Sequence, residues 1–367
     1  MLNPSFTVYS NVTITPFMHQ SYACFTENKS IIPEGLLCRD YGLVFNKAKY
    51  PQNFVTNHNA VIFAGFLFKH YGHFLLESTA RLWFAKMHPE LAICFVGRDG
   101  LILDFQEAIF KLLGLKNQIL FVDQPVQFSK CYFPSPGFIS RGYLYQWHAA
   151  FLGQYTAQSA SGKPLYLSRR QFGGISCLKN EAEIEKALIK KGFEIFYPEQ
   201  YPIEEQLKML GAAPTILALE GSALHSLLLL QNVQAKVIVI PRPNQLANSN
   251  YLAIANAKGF EQAYLPLQDL YTDITPVSHV HVDYQAHLKV AHLVRYLESP
   301  SFAPYHLYSH IYLTEPNLAW QVKDPQKETL AKLTTANAGL KAQVATLTHE
   351  KLKLKALLAK ALKEERS

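Results

Sequence analysis

A chain of 367 residues, 49% hydrophobic and 17% charged, has the makeup of a folded protein with room for two domains. The net charge is +7, but nine Lys/Arg against four Asp/Glu lie between Gln326 and Ser367, so the rest is nearly neutral, unlike the basic body of a nucleic-acid binder. Cys24, Cys38, Cys94, Cys131 and Cys177 have no paired spacing, the N-terminus MLNPSFTVYS has no leader pattern, and no run reaches ~18 apolar residues, which argues against a disulfide framework, a zinc site, secretion and a membrane span.

Residues 1 to about 57 break into short strand-like pieces punctuated by Pro and Asn, expected to form a decorating β layer. AVIFAGFLF at 60–68 fits a strand or a buried segment leading into a helix, and Phe74–Met87 has helical spacing. Leu91–Val96 reads as a buried strand, Phe105–Leu113 as a helix stopped by Gly114, and Gln118–Val122 as another strand. Such alternation predicts a parallel sheet with covered faces. After Gly162-Lys-Pro164 the pattern restarts with a strand at Leu165–Leu167. A helix at Glu181–Lys191 follows, with Asn180 as its cap and Gly192 past its end. Strands at Phe193–Phe196, Thr215–Leu219 and Lys236–Ile240 alternate with helices at Ile203–Leu210 and Gly221–Leu230. The expected division is an α/β domain at 1–158, a second at 159–300, a linker at 301–325 and a helix at 326–367.

That last helix carries heptads. Leu330, Asn337, Val344, Lys351 and Leu358 fill one core register, and Leu333, Leu340, Leu347, Leu354 and Ala361 the other. A homo-oligomeric coiled coil is expected, since so long an amphipathic helix is marginal alone. A helix lying on the body or on a membrane surface is the alternative.

Three segments carry chemistry. In TILALEGSALHSLLLLQN at 215–232 a strand runs into Glu220-Gly221-Ser222-Ala223 and then an apolar helix. Unpaired N–H groups and the positive helix end at such a turn suit phosphate, though an ordinary βα turn looks the same. In YLSRR, Arg169 and Arg170 follow a strand. Paired guanidinium hydrogen bonds suit a diphosphate, but a solvated basic edge also fits. In YGHFLLESTARLW, His73, Glu77 and Arg81 fall at i, i+4 and i+8, one helical face. A histidine one turn from a carboxylate can act as a general base, or simply be a structural pair. The sequence contains no DxD, GxxxxGK[ST] or GxGxxG pattern.

In their order, YGHFLLESTARLW, LYLSRR with KNEAEIEKAL, and YPEQYPIEEQ…ILALEGSALHSLLLL resemble glycosyltransferase family 61, in its bacterial capsule-type branch. The likeness covers roughly residues 60–300. It departs at Ser226, where Asn is usual, and at Glu220, where eukaryotic members have His. The resemblance implies a GT-B-like α/β fold, two Rossmann-like domains facing a cleft, and inversion at the anomeric carbon. The donor it implies is a nucleotide-diphosphate sugar, UDP-sugars favoured, and the acceptor a surface glycan or lipid-linked glycan. On this basis Arg169, Arg170, Gly221, Ser222, Ala223 and His225 would hold the diphosphate. Tyr197, Glu199 and Glu205 would meet the nucleoside, Tyr71 and Arg81 the acceptor. His73 would be the base, with Glu77 and Glu220 as the other candidates. No metal or cofactor is expected, and the location is expected to be cytoplasmic, with peripheral contact to the inner face of the membrane through the basic tail. A sugar-nucleotide epimerase-like enzyme and a non-catalytic scaffold of a polysaccharide-making complex are the alternatives.

Overall fold

The structure is a computed structural model that describes residues 4–39, 42–157, 162–172, 177–243, 249–265, 270–276 and 284–298. All of these belong to one compact unit. The expected linker at 301–325, the heptads at 326–367 and the boundary at 158/159 lie outside the described residues.

The fold is mixed α/β, built on two sheets. The first contains β1 (Phe6–Ile14), β2 (Cys24–Phe25), β3 (Val55–Phe66), β4 (Ala92–Val96), β5 (Ile119–Phe121) and β6 (Val126–Pro134), in the order β2-β1-β6-β3-β4-β5. Strands β6, β3, β4 and β5 are parallel, whereas β1 runs antiparallel to β6 from Phe6↔Pro134 to Ile14↔Val126. The N-terminal residues therefore do not merely decorate: Phe6–Ile14 completes the main sheet. It does so because β6, which no apolar run announces in the sequence, offers it a nine-residue edge.

The second sheet is wholly parallel. Its strands are β7 (Leu165–Leu167), β8 (Glu194–Phe196), β9 (Thr215–Leu219), β10 (Lys236–Ile240) and β11 (Gln262–Tyr264), in the order β8-β7-β9-β10-β11. Both sheets are covered on both faces, which is why their strands read as unbroken apolar runs. Side chains alternate across β9, with Ile216 and Ala218 on one face and Leu217 and Leu219 on the other. Ile62 and Ala64 of β3 share a core with Ile216 of β9, and Phe74, Leu75, Leu224 and Leu228 also belong to it.

Three local expectations change. The helix expected at Gly221–Leu230 is a 3₁₀ helix, Ser222–Leu229, with Gly221 extended before it. The expected helix at Phe74–Met87 is interrupted: Phe74–Ser78 forms a π turn and an α-helix resumes only at Leu82–Met87. Asn180 precedes the helix Glu181–Lys190, but its side chain makes no cap. It exchanges hydrogen bonds with the Leu288 main chain instead, at 2.9 and 3.0 Å. Cys24, Cys94 and Cys131 are buried free thiols, and burial pushes the Cys94 thiol up to about 12, so these sulfurs are inert. Among the described residues no helix is long and apolar enough to cross a membrane.

Candidate functional site

In the second sheet the chain passes from β7 outward to β8 and then back across to β9, so β7 and β9 are the neighbours where the winding reverses. Loops leaving the carboxyl ends of two such strands diverge and open a crevice. A cavity of about 750 Å³ lies there. Ser168, Arg169, Gly221, Ser222 and Ala223 line one side, and Tyr71 and Phe105 line it from the first half of the chain.

Arg169 lies against the turn after β9. A Cβ on Gly221 would sit 2.7 Å from Arg169 Nη1, so a larger residue there would push the guanidinium aside. Its loop is held from below: the Arg169 amide donates to Glu181 Oε1 at 2.8 Å, Tyr166 donates to the same oxygen at 2.9 Å, and Ser168 donates to Glu185 Oε1 at 2.7 Å. Burial raises the Glu181 carboxyl, and the donors from Arg169, Tyr166 and Ser168 partly offset this. The Arg169 guanidinium carbon stands 5.0 Å from the Phe172 ring centre. Arg170 turns away, its Nη1 3.2 Å from Glu185 Oε2. A second cation at the turn is Arg242, just beyond β10, whose Nε donates to the Glu220 carbonyl at 2.9 Å. His70 feels both: burial first, then His73, Arg169 and Arg242, lower its pKa.

The YGH segment packs directly on this turn. A Cβ on Gly72 would lie 2.9 Å from both His225 Nδ1 and Ser222 Cβ. The Tyr71 and Ser226 hydroxyls are 2.7 Å apart, which gives the unusual serine a partner. Burial pushes the Tyr71 phenol up to about 12, with the Ser226 hydrogen bond opposing.

His73 Nδ1 is 2.6 Å from Glu77 Oε2 and 3.2 Å from Arg39 Nη2; in the tautomer that donates Nδ1–H to Glu77, Nε2 keeps a free lone pair. Burial alone would raise the Glu77 carboxyl, but hydrogen bonds from His73 and Arg39, and their charges, hold it below its ordinary value. Arg39 grips Glu77 with both prongs, at 2.7 and 2.8 Å. Arg81 does not join them. The π turn holds one residue more than an α turn, so i+8 no longer returns to the starting face. Arg81 instead donates to the carbonyls of Pro134 and Glu34.

Other candidates scatter. His225 is buried, stacked on Tyr251 at 5.0 Å, and neither ring nitrogen has a partner. Burial, then His73, His70 and Arg242, push its pKa down to about 3, so it is a neutral ring and adds no positive charge for a diphosphate. Glu220 is buried at the end of β9. Glu199 lines the large cavity. Tyr197 donates to Glu185 and Glu205 pairs with Lys208, and neither lines that cavity. Sequence reasoning missed Arg39, Arg242, Glu181 and Glu185. Arg242 had a signal, standing just past the apolar strand KVIVI, whereas Arg39, in a two-residue strand, had none.

A comparison with curated proteins finds no match to this chain. The Glycosyltransferase 61 family model, however, matches residues 71–240, which span the YGH segment, the Arg169 loop and the Gly221 turn. Residues 71–240 are thus similar to glycosyltransferase family 61, and that segment supports a glycosyltransferase.

Proposed function

We propose that the protein moves a sugar from a nucleotide-diphosphate donor, UDP-sugars first, to a hydroxyl of a surface-glycan or lipid-linked acceptor, with inversion and without a metal. One juxtaposition carries this reading: the Gly221–Ser222 turn with Arg169 at the crevice of the parallel sheet, packed through Gly72 against the His73–Glu77 pair. In this reading the diphosphate takes hydrogen bonds from the turn and from Arg169 and Arg242, with Arg242 in the role the sequence suggested for Arg170. The acceptor hydroxyl attacks the anomeric carbon as the bond to the diphosphate breaks, and its proton passes to His73 Nε2. Negative charge grows on the leaving diphosphate and positive charge on His73, and the ionised Glu77 stabilises the latter. Attack opposite the leaving group inverts the configuration. Exposure favours His73 as the base: 44% of its side chain is accessible against 4% for Glu77.

The fold in this reading is of GT-B type, with the donor on the second sheet and the acceptor entering from the first. The heptads from Leu330 to Ala361 would assemble copies of the chain in the cytoplasm, and the tail's positive charge would touch anionic lipid. The test is turnover of a nucleotide-sugar panel by the full-length protein, with and without EDTA. Turnover that survives EDTA is expected, because cations and a helix end can replace a metal at the leaving group. Activity lost with EDTA and restored by Mn²⁺ overturns the metal-independent mechanism. Failure of every nucleotide sugar to bind overturns the donor assignment.

A further inference from the structure

A second cavity, of about 340 Å³, has Glu77 and Arg81 in its wall together with Tyr22, Phe66 and Tyr143. Its cation, Arg81, meets only neutral hydrogen-bond partners. Arg81 Nη1 donates to the Pro134 carbonyl and Nη2 to the Glu34 carbonyl, both neutral. Among the described residues no carboxylate comes within ion-pairing distance of it. Loss of water around the guanidinium lowers its pKa, and nearby groups, the Glu34 carboxylate among them, only partly oppose this. Tyr22 is 1% exposed and its hydroxyl finds no acceptor for its proton, although the Arg81 charge and the Leu37 main chain act on the oxygen. A buried polar atom left open in this way calls for a partner.

The carboxylates nearby are engaged elsewhere. Glu77 is held by Arg39 and His73, and the Glu34 carboxylate accepts from the Tyr9 hydroxyl at 3.3 Å. Beneath Arg81, residue 65 is a glycine with φ +92°, and even a Cβ there would only reach 4.0 Å from Arg81 Nε. The guanidinium edge thus stays open on that side. The cavity offers a guanidinium without a direct ion pair, a phenol without an acceptor and aromatic walls.

We propose that this cavity binds the carboxylate of an acidic sugar, with Arg81 as its counter-charge and Tyr22 as a hydrogen-bond donor. A single positive charge matches a monoanion. A phosphate dianion would leave excess negative charge beside Glu77. The aromatic residues Phe66 and Tyr143 suit the apolar face of a sugar ring. Glu77 belongs both to this wall and to the His73 pair, so a sugar anchored here would lie one side chain from the base. The acceptor of the transfer is then an acidic glycan. That role in catalysis rests on the proposed function above, whereas binding at the cavity does not.

The test is saturation-transfer NMR on the full chain with glucuronate and glucose, which differ only in the carboxylate. Glucuronate should bind at least tenfold more tightly, about 1.4 kcal/mol. Arg81→Gln should abolish the preference, and Tyr22→Phe should reduce it severalfold in a protein that melts like the wild type. Equal binding of the two sugars, no binding of glucuronate, stronger competition by inorganic phosphate, or an undiminished preference in a folded Arg81→Gln protein would each overturn the proposal. The wild-type comparison stands even if Arg81→Gln fails to fold. UDP binding, measured in parallel, separates the two readings. Glucuronate without UDP binding sinks the UDP donor and leaves this site, and UDP without glucuronate binding does the reverse.

Discussion

Gly72 is where the two halves of the site touch, and replacing it with alanine sets two effects against each other. The residue is helical with no positive φ, so alanine's better helix propensity would by itself stabilise by about 1 kcal/mol. Against this, the new methyl would lie 2.9 Å from Ser222 Cβ and from His225 Nδ1. Carbon contacts are comfortable at about 3.5–4.0 Å, so the segments must part by roughly half an ångström or more. Neither neighbour yields easily: the helix that carries them buries Leu224, Leu227, Leu228 and Leu229, and His225 is stacked on Tyr251. Overpacking of this kind costs about 1–3 kcal/mol, so the net effect is destabilisation by up to about 2 kcal/mol. The larger effect should be on rate. A shift approaching 1 Å between base and donor site can cost about 10²-fold, with donor affinity reduced far less. Urea denaturation, initial rates and donor titration on the same preparation measure all three. A Gly72→Ala protein as stable as the wild type and equally active would refute the packing argument.

Arg242→Ala should lower turnover about 10²-fold, whereas Arg170→Ala should do little, because its guanidinium is engaged by Glu185 and is 45% exposed; the opposite ranking in steady-state kinetics contradicts the assignment of the second cation. Arg39→Ala removes the hydrogen bonds at 2.7 and 2.8 Å that hold the buried Glu77 ionised. The Glu77 carboxyl then rises and the acid limb of the pH–rate profile moves to higher pH; an unmoved limb would show that Arg39 does not tune it. His148 and His225 are both pushed by burial from the ordinary 6.5 to about 3. Folded-state pKa values below the unfolded ones mean that the unfolded chain takes up protons first. Stability is therefore full above 6.5 and is lost as pH falls toward 3, at about 1.4 kcal/mol per pH unit for each ring. Urea midpoints between pH 7.5 and 5 check this, and a flat profile would contradict it.

Four of the five strands of the second sheet were legible because each is a short apolar run bounded by turn residues, and Thr215–Leu219 and Lys236–Ile240 fall where the pattern put them, whereas the edge strand Gln262–Tyr264, with no apolar run, was not seen. The first sheet was less so. Its β6 alternates buried and half-buried residues in VQFSKCYFP, a pattern without a clean period, and without β6 the role of β1 could not be seen. The His73–Glu77 contact followed from i, i+4 spacing and survives the π turn, whereas Arg81 did not follow, because spacing arguments assume an unbroken α-helix. Arg39 reaches the site through tertiary placement from a two-residue strand that no local pattern announces, whereas Arg242, just past an apolar strand, could have been suspected. The meeting of Gly72 with Ser222 and His225, about 150 residues apart, is likewise a property of the fold alone.

The central claim is that His73 removes the acceptor proton while the nucleotide donor is held on the other side of the cleft by Arg169 and the Gly221 turn. Transfer rate and donor dissociation constant measured on the same His73→Ala protein test it most directly. The account predicts a rate loss of about 10²–10⁴-fold with donor affinity unchanged. A His73→Ala protein that transfers sugar at the wild-type rate, or one that loses the donor as well, would contradict it.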